Sequence, residues 1–126
     1  MPIININIDL EEQFLYDILT TFVESGWSDW ARFTEVNREV DTLDVLSITL
    51  IDVEDSGKSF DVGIDEVFTG LCRIVGKDSD GKHVDISSSI LDYVMRGVRE
   101  QDAGDIDAIG ADCIVQAAIF GELVYG

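Results

Sequence analysis

A chain of 126 residues that is 46% hydrophobic is long enough to bury one core and too apolar for a disordered acidic tail. Its 26 Asp and Glu against 8 Lys and Arg leave a formal charge of -18. Such a charge disfavours nucleic acid, anionic lipid and phosphate-rich ligands as direct partners and favours basic protein surfaces and cations. The opening Met1-Pro2-Ile3-Ile4-Asn5 has no basic stretch ahead of an apolar one, and no segment approaches the roughly 18 apolar residues of a membrane span, so a cytoplasmic protein without membrane association is expected.

Ile4, Ile6 and Ile8 alternate with Asn5, Asn7 and Asp9, the period of a half-buried strand, which predicts a strand over residues 2–8. Asp9 then offers an N-cap with Glu12 three positions on. Leu10, Phe14, Ile18, Phe22 and Val23 form one apolar face and Gly26 a stop, predicting a helix over 10–25. From 27 to 38, Trp27, Trp30 and Phe33 keep three-residue spacing without a long run, which suits a short helix or an irregular aromatic lid. The β-branched and apolar stretch Leu43 to Val53, the turn Glu54-Asp55-Ser56-Gly57-Lys58 and a return strand over 59–62 predict a hairpin sharing an antiparallel sheet with the first strand.

Val67, Phe68, Leu71, Ile74 and Val75 recur at helical spacing, predicting a helix over 65–75 capped by Asp65 and stopped by Gly76. After the polar loop Lys77 to Asp85, Ser87 is placed to cap a helix over 87–99 carrying Ile90, Leu91, Val94 and Val98. A second polar break, Gln101 to Asp105, precedes a helix over 107–120 with Ile106, Ile109, Cys113, Ala117 and Phe120 on one face, and Leu123, Val124 and Tyr125 are expected to dock. The expected fold is a single α+β domain over 1–126, with a small antiparallel sheet of about three strands covered by about four helices.

The ending reads Ala111-Asp112-Cys113-Ile114-Val115-Gln116-Ala117-Ala118-Ile119-Phe120-Gly121-Glu122-Leu123-Val124-Tyr125-Gly126. It resembles the ending of small uncharacterised proteins of bacteriophages and other mobile elements, over this stretch and, loosely, the aspartate-rich break before it. The resemblance implies a phage-type origin and brings no activity or catalytic residue with it. Locally, Gln116 beside alanines suits close helix packing and Gly121 can end the helix.

Several acidic or nucleophilic groupings have bland explanations. Asp78-Ser79-Asp80-Gly81 carries half of a calcium-loop pattern, but with Gly81 in sixth place the first position is Gly76 and the twelfth Ser87, so two carboxylate ligands are missing and an acidic turn is expected. Asp102, Asp105 and Asp107 could attract a divalent ion, yet as caps around Gly104 they need none. His83, the single histidine, lies in a polar loop near Ser87, Ser88 and Ser89, which helix capping explains. Cys72 and Cys113 lack metal-ligand spacing and read as buried thiols. No catalytic residue, metal set or cofactor is nominated, and the chain reads as a binding protein, not an enzyme.

The carboxylates fall in blocks without Lys or Arg, over residues 1–31, 39–57 and 100–126, so ion pairing within a block cannot absorb them. The expected function is that of an acidic, phage-type anti-defence inhibitor. It would act as a DNA mimic on a basic, nucleic-acid-binding surface, as in a CRISPR complex or restriction enzyme, because DNA presents about one charge per 1.7 Å of axis to the same Lys and Arg. The partner-binding carboxylates nominated are Asp102, Asp105 and Asp107, then Asp17 and Glu24 on the polar side of the first long helix. The alternative is a self-associating structural or accessory protein. Its homodimer interface would combine the apolar C-terminal segment with Trp27 and Trp30, and its acidity would serve only solubility.

Overall fold

The computed structural model describes residues 10–55 and 57–126. In chain order these form α1 (Glu12–Glu24), β1 (Ala31–Arg38), β2 (Val45–Asp52), β3 (Ser59–Gly63), α2 (Ile64–Val75), α3 (Ser88–Glu100), a 3-10 turn (Ala103–Asp105) and α4 (Ala108–Phe120). The expected strand over 2–8, and Asp9 as a cap, lie outside the described residues. Among those residues the sheet is antiparallel in the order β1-β2-β3, and the α+β class expected from the sequence is what forms.

The strand beside the hairpin is β1, from the stretch expected to be a short helix or a lid. Its three-residue aromatic spacing misleads because Trp27 lies in the connection after α1, Trp30 in the turn ahead of the strand, and only Phe33 in the strand. Thr34 and Val36 are β-branched and suit a pleated surface. The register shifts between Phe33 and Glu35 and again between Asn37 and Arg38, so two irregularities break the alternation that would have announced a strand. Across the sheet, Phe33 lies opposite Leu50 and Leu50 opposite Phe60, while Val36, Ile48 and Val62 form a second row on the same face. On the other face polar neighbours meet: Asn37 donates to Ser47 at 2.8 Å and Thr49 to Asp61 at 2.8 Å.

The helices pack on the apolar face. Phe14, Leu15, Ile18, Leu19 and Phe22 form the buried stripe of α1, and Val67, Leu71 and Ile74 that of α2. Phe68, Val75 and Ile109, which the apolar spacing placed inward, stand exposed, because each buried face is narrower than the run of apolar residues. Every residue of α4 from Gly110 to Ala117 is buried, and the helix lies against α1, α2 and α3. No amphipathic stripe is needed in such a helix.

Caps differ in detail from expectation. β3 runs directly into α2, so Gly63 and not Asp65 is the N-cap, and Glu66 reaches back to accept the Gly63 N–H at 3.1 Å. Ser87 precedes α3 without a side-chain cap bond. Asp107 caps α4 by accepting from the Gly110 N–H at 2.9 Å, and Gly121 ends that helix in the left-handed region at φ 70°.

α2 and α4 approach each other closely at Gly70. A Cβ placed on Gly70 would run into the backbone carbonyl of Ile114, a neighbour that cannot turn aside. Gly70→Ala is therefore expected to destabilise the fold by about 3 kcal/mol, in spite of alanine's better helix propensity, as measured by chemical denaturation.

Candidate functional site

The nominated carboxylates occupy unlike settings. Asp102 is exposed and accepts from the Gly104 N–H at 2.8 Å, which closes the 3-10 turn, and Asp107 is the α4 cap. Asp105 is partly buried, with Oδ2 unpartnered among the described residues. Oxygens of Glu100, Asp102 and Asp105 lie within 4.8 Å of one another, so the trio that converges includes Glu100 in place of Asp107. Asp17 is half-buried and accepts from Gln13 at 2.8 Å. Glu24 is exposed and pairs with Arg38 at 2.9 Å, across from the block that holds it.

Asp105 also disturbs its neighbour. A hydrogen bond to the Asp105 carboxyl, and that group's charge, raise the Glu100 carboxyl above its ordinary value. A carboxyl raised in the fold opposes folding once ionised, and the penalty grows as pH climbs from the ordinary value through the raised one. Glu100→Gln should accordingly raise Tm at pH 7, with the gain disappearing near pH 4, where the wild-type group is protonated.

The half calcium loop is organised from within. Asp78 accepts from Arg73 Nε at 2.7 Å through one oxygen, and through the other from the N–H groups of Asp80 and Lys82. These bonds, that of Arg73 first, hold its carboxyl below the usual range. Arg73 in turn donates to the carbonyls of Ala117 and Ala118 at the end of α4. His83 contacts the Gly76 carbonyl and Asp85. Both cysteines are free thiols, and burial pushes Cys113 up to about 11.

A second constellation, which sequence spacing did not reveal, is built on α4. Asp112 is 5% exposed, and its Oδ1 accepts from the Ser28 hydroxyl at 2.6 Å and the Trp30 indole N–H at 2.8 Å. Its Oδ2 accepts from Gln116 Nε2 at 2.7 Å. No cationic side chain pairs with this carboxylate among the described residues. Gln116, 0% exposed, uses its amide completely: Nε2 also donates to the Tyr125 carbonyl, and Oε1 accepts from the Val124 and Tyr125 N–H groups at 2.8 Å each.

Tyr125 is fixed at its other end. Its hydroxyl donates to buried Asp52 at 2.8 Å, its ring stacks on Trp30 with centroids 5.3 Å apart, and burial with the Asp52 bond pushes its phenol up to about 12. The one signal of this network in the sequence is a pair of polar residues, Asp112 and Gln116, four apart in an otherwise apolar helix.

Above the network lie two adjoining cavities of about 380 and about 420 Å3 that share Trp27, Asp112 and Tyr125. The first is walled also by Trp30, Asp29 and Glu54, and no Lys, Arg or His lines either. Trp30 is 4% exposed and committed to the core, whereas Trp27 is 50% exposed at the rim. Among the described residues no helix is long and apolar enough to cross a membrane. Compared with protein-family models, curated proteins and solved structures, the chain matches none.

Gln116→Ala would leave Asp112 Oδ2 short of a donor and free residues 124 and 125 from α4. A loss of about 3 kcal/mol is expected, since a buried group stripped of its partner costs about 1–3 kcal/mol. Hydrogen exchange at the Val124 and Tyr125 amides should rise with it.

Proposed function

We propose that this chain is an acidic inhibitor of the phage anti-defence type that occupies a basic, nucleic-acid-binding surface of another protein, such as a CRISPR complex or restriction enzyme. The observation that carries this reading is uncompensated charge. With a formal charge of -18, only Glu24 and Asp78 pair with an arginine among the described residues, and Asp85 with His83. Apart from buried Asp52 and Asp112, the remaining carboxylates stay available to a partner's Lys and Arg, and a magnitude well beyond the roughly 2–8 that keeps a small domain soluble has a use in that role. The phage-type origin expected from the C-terminal string agrees with the same reading. Asp102, Asp105 and Asp107, with Asp17 and, by exchanging its exposed pair with Arg38 for a partner's cation, Glu24, are the carboxylates proposed to meet the partner.

Because Asp102 and Asp107 double as caps, reversing their charge would unravel the turn as well as remove a contact. Asparagine keeps the capping oxygen and removes the charge alone. Against purified CRISPR and restriction complexes, binding of the wild type should compete with duplex DNA and weaken steeply between low and physiological salt. Asp102→Asn, Asp105→Asn and Asp107→Asn combined should weaken binding about tenfold or more at a Tm no lower than that of the wild type, since they also relieve the crowding around Glu100. A complex that holds DNA and this protein together at full affinity would refute the mimicry.

A second reading has an observation of its own: Trp27, Ile109 and Val124, all exposed, border the second cavity and could seat another copy. A dimer persisting at high salt in sedimentation, with no competition against DNA, would favour that self-association.

A further inference from the structure

We infer that the cleft between Trp27, Trp30 and Tyr125 is a receptor for an arginine side chain presented by the protein's partner. The inference deepens the proposed function and rests on it only in taking the partner to be basic.

The cleft has the volume of a ligand site, about 380 Å3 against the roughly 300 Å3 at which such sites begin. Its walls combine two chemistries that together select an organic cation. Aromatic faces attract positive charge through the ring quadrupole, and the Trp27 indole, half exposed, is the face left open. Carboxylates supply the rest: Asp29 and Glu54 are exposed at the mouth and Asp112 lies beneath. A carboxylate has about four acceptor positions, and three at Asp112 are filled by Ser28, Trp30 and Gln116. Capacity for one further donor remains at a wall of the cleft. An anionic ligand would meet these three carboxylates with no cation lining the space to offset them, and a purely apolar one would desolvate them without partners.

Between the two basic side chains, arginine fits better. Its guanidinium is planar, stacks on an indole, sheds water more readily than an ammonium and presents five donors to carboxylates arranged around it. A side chain within a protein also fits better than free arginine, whose α-carboxylate and α-ammonium cancel at long range but must both be desolvated at the mouth of the cleft.

The test uses the whole chain and blocked tripeptides Gly-Arg-Gly, Gly-Lys-Gly and the citrulline counterpart, which keeps the shape of arginine without its charge. The indole N–H resonances of Trp27 and Trp30 report binding. The arginine peptide should shift both and bind at least tenfold more tightly than the citrulline peptide and severalfold more tightly than the lysine peptide or free arginine. Trp27→Ala, and Asp29→Asn with Glu54→Gln, should each weaken it about tenfold at unchanged Tm.

Equal binding of the citrulline peptide, or retention of affinity by Trp27→Ala, overturns the inference. So does free arginine binding as tightly as the peptide, which would make this a small-molecule site, or a second copy filling the cleft. Its failure is separable from that of mimicry. If Asp102→Asn with Asp105→Asn and Asp107→Asn abolishes partner binding while Trp27→Ala leaves it intact, the cleft is not the grip and the acidic surface is.

Discussion

The buried carboxylate of Asp112 is the interaction on which the rest of the molecule leans. An ionisable group 5% exposed with no cation beside it among the described residues is costly to bury, and only convergent donors offset the cost. Here the donors come from parts of the chain distant in sequence: Ser28 and Trp30 ahead of β1, and Gln116 one turn further along α4. Gln116 passes the connection to Tyr125, and Tyr125 to Asp52 at the end of β2. Hydrogen bonds linked in this way polarise one another and are worth more together than singly. The same bonds hold the ring of Trp30 against Phe120 and Tyr125, so polar and aromatic packing specify one arrangement.

The acidic residues thus divide by what they accept. Asp52, Asp78, Asp102, Asp107 and Asp112 accept backbone or side-chain donors and shape the chain around themselves. Others, Asp29, Glu35 and Glu54 among them, stand in water. Their repulsion is long-ranged but screened over about 8 Å at physiological salt. Local crowding such as that of Glu100 with Asp105 is therefore felt where oxygens nearly touch, and the wider field mainly by an approaching partner.

Helices were legible because burial of one stripe imprints a period of 3.6 on the sequence, and α1, α2 and α3 carry it. Their ends shifted by a residue or two where an unread cap intervened, as Gly63 did for Asp65. β1 was not legible: its register slips twice, and the aromatic spacing from Trp27 to Phe33 belongs to a turn followed by a strand. The centre of the site stayed hidden for a different reason. Asp112 counted as one more member of an acidic block, and its partners Ser28 and Trp30 lie 84 and 82 residues away, beyond any spacing rule. Gln116 suggested close packing beside its alanines, which is true of the helix but not of what the amide does.

The contact of Gly70 with the Ile114 carbonyl sets the mechanics of the cleft. Two helices that touch backbone to backbone cannot slide by a residue without forcing a side chain into that gap, so α2 and α4 behave as one stiff body. The sheet is coupled to it, because β3 passes into α2 without an intervening loop. The cleft takes its remaining walls from the connections beside these elements, Trp27 and Asp29 from the one after α1 and Glu54 from the one after β2. Ser28, Trp30 and Gln116 fasten the floor of the cleft, Asp112, to that body. Whatever enters the cleft therefore meets an acceptor whose position is set before it arrives.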